Sequence, residues 1–222
     1  HLGFCVSPSG AMFLDIRRDR YFGLPGDLET AFSSLVDCAF EEASDLAALA
    51  RLKALGVVED AAVPHHGRRP PTANTSLRDV GACSSISCSA TDVAAVARAV
   101  LHARAMVRGT PLREIISGLP GPNGSSDRDE LCKLARRYQR ARRWTPIKPV
   151  CLLDSLAMLN YLAGRGHRPL LVFGVTRQPF KAHCWLQHDR MVLNDHLDHV
   201  IGHRVILACL LYTSPSPRDA TL

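Results

Sequence analysis

The sequence predicts an α+β fold in two parts, and three observations predict it. Short β-like runs precede helices in residues 1–62. From residue 81 the order reverses, with apolar-periodic helices first and a pair of short alternating segments after them. Between the two lies a stretch rich in Pro, Arg and polar residues that reads as a linker.

The N-terminal part is FCVSPSGAMFLDIRRDRYFGLPGDLETAFSSLVD, two or three short strand-like runs broken near Ser9-Gly10 and again near Arg18-Asp19. It turns helical after Pro25, and a second helical stretch from Ala43 to Leu55 ends at Gly56. Strands followed by helices on this scale describe a small winged-helix-like module. Such modules also bind DNA, and Arg17, Arg18 and Arg20 form a basic cluster. No helix rich in base-reading residues follows, so nucleic acid is not the expected partner.

Residues 63–80, including VPHHGRRPPTANTSLRD, are the expected linker, and 81–208 the second domain. There TDVAAVARAVLHARAMVR predicts a helix over Thr91–Arg108 with Thr91 as its cap. A short helix over Pro111–Ser117 and the loop GLPGPNGSSDRD come next. A helix from Asp127 to Arg142 carries much of the net charge of +6. A charge run of this kind is ordinarily a solvated face, and the alternative is a dock for an acidic partner.

The candidate chemistry sits at Cys151, His183 and Asp195. Cys151 follows TPIKPV and opens the periodic run CLLDSLAMLNYLAGRG, which places it in the first turn of a helix. Unpaired backbone N–H groups and the positive end of the helix dipole favour a thiolate there. AHCWLQ and MVLND read as antiparallel strands joined by a three-residue turn, His188-Asp189-Arg190. That register pairs Gln187 with Met191 and hence His183 with Asp195, cross-strand neighbours with Cβ atoms roughly 5 Å apart. A carboxylate orienting an imidazole beside a thiolate is the arrangement covalent acyl transfer needs, with the backbone N–H of Cys151 as an oxyanion donor. The bland alternative is a buried structural thiol with an ordinary strand histidine and a turn acid.

A metal site is the rival constellation. Asp195, His196, Asp198, His199 and His203 form a ligand-rich tract, but no H-E-x-x-H helix and no CxxC pair completes it. The eight cysteines show no framework spacing, and neither a signal peptide nor an apolar run of spanning length is present. These features predict a reducing compartment, the cytoplasm, and no membrane insertion.

CLLDSLAMLNYLAGRGHRPLLVFGVTRQPFKAHCWLQHDRMVLND resembles the leader peptidase, or B protein, of lasso-peptide biosynthesis. The matching features are C-L-x-x-S-L-A, a helix ending in R-G, L-V-F-G-V, P-F-x-A-H-x-W and V-L-N-D, in that order. The resemblance implies a transglutaminase-like, papain-like cysteine-protease core in which Cys151 is the nucleophile, His183 the general base and then acid, and Asp195 the orienter. Cys184 stands where that family usually has alanine, and Gln187 where glutamate is common.

FLDIRRDRYFGL in turn looks like the leader-recognition domain related to a pyrroloquinoline-biosynthesis chaperone. The implied partner is a precursor peptide whose leader adds as a strand beside Arg20 to Leu24, with Arg20, Tyr21 and Phe22 as contacts. The alternative for the aromatics is that they fill the module's own core. A second implied partner is an ATP-dependent cyclase resembling asparagine synthetase. No cofactor is expected on this chain, which carries no P-loop, although its activity is expected to depend on ATP through the cyclase. The same triad also suits a transamidase, or an inert peptide-binding protein.

HLGFCV resembles the inside of that family's first strand, so a few preceding residues are expected to be missing. CLLYTSPSPRDATL, 209–222, resembles a translated sequencing adapter and is expected to lie outside the fold.

Overall fold

The computed structural model describes residues 2–8, 10–36, 43–59, 70–80, 87–119, 121 and 127–209. Residues 122–126 of the expected loop, residues 63–69 of the expected linker and nearly all of the expected foreign tail lie outside them.

Strands β1 (Leu2–Ser7), β2 (Gly10–Asp15) and β3 (Arg20–Gly23) form an antiparallel sheet in that order, followed by helices α1 (Gly26–Val36) and α2 (Ala43–Ala54). The breaks fall where the chain needs positive φ: Gly10 at 115°, Asp19 at 48° and, beyond α2, Gly56 at 68°. Every residue of β2 after Gly10 is buried, so the strand is covered on both sides. Ala11 and Phe13 pack with Leu28, Ala31 and Phe32 of α1 and Leu52 of α2. The Phe13 ring lies 5.1 Å from Phe22 and 4.9 Å from Phe32. Met12 and Leu14 point the other way and join the core of the second part.

That second part comprises β4 (Thr75–Ser76), α3 (Ala90–Gly109), α4 (Leu112–Ser117), α5 (Arg128–Arg142), α6 (Cys151–Ala163), β5 (Leu170–Thr176), β6 (Lys181–His188), β7 (Met191–Val192), α7 (Leu197–Ile201) and β8 (Arg204–Ala208). Its sheet runs β4-β7-β6-β5-β8, with β4 parallel to β7 and the other pairs antiparallel. Residues of the expected linker thus enter this sheet, and Leu77 joins the large core. At the other end the backbone N–H of Cys209 bonds the Leu171 carbonyl at 2.9 Å, one step past β8.

Helix α6 is buried on nearly all sides, from Leu153 to Leu162, as a central helix must be. It packs between α3, α5 and the sheet face carrying Leu171, Phe173, Cys184 and Leu186. Removing a fully buried side chain such as Leu156 costs about 2–5 kcal/mol. The opposite sheet face carries Val172, Trp185 and Val192, covered by Val200 of α7. The cap of α3 is Ser89, not the expected Thr91: its hydroxyl accepts the Asp92 N–H while the Asp92 carboxylate accepts the Ser89 N–H.

The two parts meet closely. A Cβ on Gly3 of β1 would come 2.6 Å from the Ile206 carbonyl of β8. Glu29 of α1 accepts from Ala11 N–H and from the Arg177 guanidinium, both at 2.7 Å. Among the described residues no helix is long and apolar enough to cross a membrane.

Candidate active site

Cys151 is the first residue of α6. Intrahelical bonding starts with the Asp154 N–H to the Val150 carbonyl at 2.9 Å, so the N–H groups of Cys151, Leu152 and Leu153 have no partner within the helix. The segment leading into the helix is tied down by charge. The Arg142 guanidinium donates to Asp154 at 2.5 Å and to the carbonyls of Thr145 and Ile147 at 3.1 and 2.8 Å. Asp154 also accepts the Val150 N–H at 2.9 Å. Both ends of the approach to the thiol therefore hang on one half-buried ion pair.

His183 and Asp195 are in direct contact through His183 Nε2 and Asp195 Oδ2, which leaves His183 Nδ1 for the thiol. The route to this contact differs from the expected one. The hairpin turn has two residues, Asp189-Arg190, with Asp189 at φ 51°, and the register is Gln187 with Val192 and His188 with Met191. Pleat alone would then place His183 and Asp195 on opposite faces. Instead the chain leaves strand geometry after Val192. The Asn194 side chain accepts the Leu186 N–H at 2.8 Å, and the Leu193 carbonyl turns to accept from Gln139 at 2.6 Å. Asp195 then approaches His183 from a bend rather than from a strand.

Several residues that hold the site were given no role by the sequence reading, although Ser155 and Asn194 fall within the motifs C-L-x-x-S-L-A and V-L-N-D. Buried Ser76 donates its hydroxyl to the Asp195 carbonyl. Buried Ser155, one turn into α6, accepts from Asn194 Nδ2 at 2.9 Å and donates to the Cys184 carbonyl at 3.3 Å. Asp79 accepts from the Leu197 N–H at 2.9 Å and pairs with His196 at 2.7 Å, which fixes the bend after Asp195. A further cue was Asp154, an acid in the first turn of a helix that otherwise lacks a capping side chain.

The electrostatics form a chain. The Cys184 S–H, then the His183 ring, then the Cys184 backbone N–H hydrogen-bond to Cys151; they outweigh burial and lower its thiol from 9.0 to about 4. The Asp195 carboxylate, then Cys151, raise His183 from 6.5 to about 9 against burial. Burial is the largest single influence on Asp195 and opposes its charge. Hydrogen bonds from His183, the His196 N–H and His199 together hold it well below the usual carboxylate range. Cys184, hydrogen-bonded to Cys151 and buried, is pushed well above the ordinary thiol range, so the pair's one negative charge rests on Cys151. Between about pH 4 and 9 the site is a thiolate–imidazolium pair anchored by a carboxylate.

The three residues line a cavity of about 860 Å³ that also reaches Tyr138, Gln139 and Asn194. The expected peptide contacts divide. Phe22 stacks on Phe13 in the small core. Arg20 is exposed, its guanidinium 5.7 Å from the Phe22 ring centroid. Tyr21 packs toward the second part, its ring 5.5 Å from Phe180. Burial is the largest cause that raises the Tyr21 hydroxyl to about 12. In the His-rich tract, His199 bonds Asp195 at 3.0 Å and His203 bonds the His199 carbonyl at 2.7 Å. Among the described residues no group of three or more His, Cys, Asp or Glu side chains could hold a metal ion.

Neither a curated protein nor a solved structure matches the chain. A family model, the Transglutaminase-like superfamily, matches residues 94–208, a span that holds α5, α6, the hairpin and all three candidate residues. That family is one of thiol acyl-transfer enzymes, peptidases and transamidases, and the match covers more than half of the 222 residues. The chain belongs to the transglutaminase-like superfamily.

Proposed function

We propose that this chain is a cysteine endopeptidase that removes the leader from a ribosomally made lasso-peptide precursor. The observation that carries the reading is the Cys151–His183–Asp195 chain at the N-terminus of a buried helix, opening on a cavity. β3 is an edge strand of its sheet, as leader capture by strand addition requires. A leader held there raises the effective concentration of the scissile bond at the thiol.

In the reaction the Cys151 thiolate attacks the carbonyl carbon at the leader–core junction, and the C–O π electrons move onto oxygen beside the Cys151 N–H. Collapse breaks the C–N bond, and His183 gives its proton to the departing amine. Neutral His183 then takes a proton from water, whose oxygen attacks the thioester and expels the thiolate. The products are a leader acid and a core peptide with a free α-amine. That amine is the group an ATP-dependent companion cyclase would join to an acidic side chain. The reading places the protein in the bacterial cytoplasm with its precursor and cyclase.

The test is incubation of the neighbouring precursor with the cyclase and ATP, comparing the parent with Cys151→Ala by mass spectrometry. A free leader acid from the parent alone supports the reading. A leader joined to an added amine would make the chain a transamidase. Equal maturation by both proteins would leave it a binding protein with an inert triad.

A further inference from the structure

Arginine dominates the wall of the catalytic cavity. Arg78, Arg136, Arg140, Arg142 and Arg143 line it, and among the described residues its carboxylates are Asp154 and Asp195. Both acids are engaged, Asp154 with Arg142 and the Val150 N–H, Asp195 with His183 and His199. The positive excess is placed by helix geometry. Arg136 and Arg140 of α5 and Arg143 at its C-cap follow one another at i, i+4 and i+7 along one ridge, while Leu131, Leu134, Tyr138 and Ala141 bury the other side. Arg78 comes from the turn after β4, and a hydrogen bond of 3.0 Å from Arg136 to the Val80 carbonyl joins that turn to the ridge. Arg137, off the ridge, is 3.9 Å from Asp92. A basic last turn suits the α5 dipole, but that account does not reach Arg78, which belongs to another element.

We infer that the cleft selects peptides carrying acidic side chains close to the bond presented to Cys151, with Arg136, Arg143 and Arg78 as the selecting charges. Carboxylates brought into a concave site walled by guanidinium groups gain more than on an open surface, because the field is focused and poorly screened. The inference rests on the reading of the site as a peptide-cleaving thiol centre. It adds the substrate class.

The test is read without turnover. Capped dodecapeptides of identical spacing carrying four Glu, four Gln or four Lys are titrated calorimetrically into the Cys151→Ala variant at low and physiological salt. The Glu peptide is expected to bind about tenfold tighter than the Gln peptide at low salt, with the advantage shrinking as salt rises. Added Arg136→Glu and Arg143→Glu changes should remove the advantage. Arg98→Glu with Arg108→Glu, the same charge change at exposed positions of α3 outside the cavity, should leave most of it. In the parent the Glu peptide should slow alkylation of Cys151 by neutral iodoacetamide. Equal binding of Glu and Gln peptides, equal loss in the two double variants, or no protection of Cys151 would overturn the inference. Acidic preference without cleavage of any precursor would count against the peptidase reading alone, and charge-blind cleavage against the inference alone.

Discussion

The acidity of Cys151 can be read from the pH profile of its alkylation. An ordinary thiol at 9.0 is about 1% thiolate at pH 7 and about 0.01% at pH 5, so its rate falls tenfold per pH unit. Cys151, held at about 4 by Cys184 and His183, is nearly all thiolate at both. Greater acidity also blunts the nucleophilicity of the thiolate, by roughly threefold for each tenfold gain in acidity, or roughly 200-fold here. The two effects nearly cancel at pH 7, where Cys151 should react about as fast as a free thiol. At pH 5 the population term wins, and Cys151 should react about 50-fold faster. The assay is iodoacetamide labelling with peptide mapping from pH 4.5 to 9. A plateau is expected in the parent, and in His183→Ala, which loses the imidazolium but keeps the Cys184 hydrogen bond, the acid edge of that plateau should move to higher pH. A parent profile that climbs steadily to pH 9 would refute the ion pair.

Three further outcomes follow from the packing. Cys184→Ala removes the strongest hydrogen bond to the thiolate, so the acid edge of the Cys151 plateau should move up from about 4 while the edge set by His183 near 9 stays; the same labelling series reads both. Gly174→Ala would place a Cβ 2.7 Å from the buried Trp185 ring and 2.9 Å from His203 Cβ, directly across from His183. Overpacking there should cost about 1–3 kcal/mol in urea unfolding and lower turnover by displacing the imidazole. Arg142→Met leaves Asp154 and two loop carbonyls without their donor, and should cost about 2–3 kcal/mol with activity lost alongside; an unchanged unfolding midpoint would remove the tether from the account.

The N-terminal strands and helices were legible because their punctuation is chemical: Gly10, Asp19 and Gly56 supply the positive φ the breaks need. Helix α6 was legible from periodicity, and Cys151 from its place at the head of that run. The His183–Asp195 contact was anticipated, but through a register that the structure does not have. Turn length is set by whether Asp189 can take positive φ, a choice that composition alone does not decide between two and three residues. Side chains that replace backbone partners, such as Asn194 at the Leu186 N–H and Ser76 at the Asp195 carbonyl, leave no periodic trace. The Thr91 cap was misplaced because three hydroxyl or acid residues crowd that helix start, and only the reciprocal Ser89–Asp92 bonds distinguish them. The small core claims Phe22, while Tyr21 turns toward Phe180 and the large core, a division that adjacent aromatics on one strand do not announce.

The most direct test of the acyl-transfer centre needs no knowledge of the natural substrate. Incubating the parent with p-nitrophenyl acetate at pH 7, followed by acid quench and peptide mapping, should give a burst of nitrophenol stoichiometric with protein and an acetyl group on Cys151. Asp195→Asn should weaken the burst and Cys151→Ala should abolish it. A parent with no burst, or with the acetyl group on another residue, would contradict the assignment of Cys151, His183 and Asp195 as one catalytic unit.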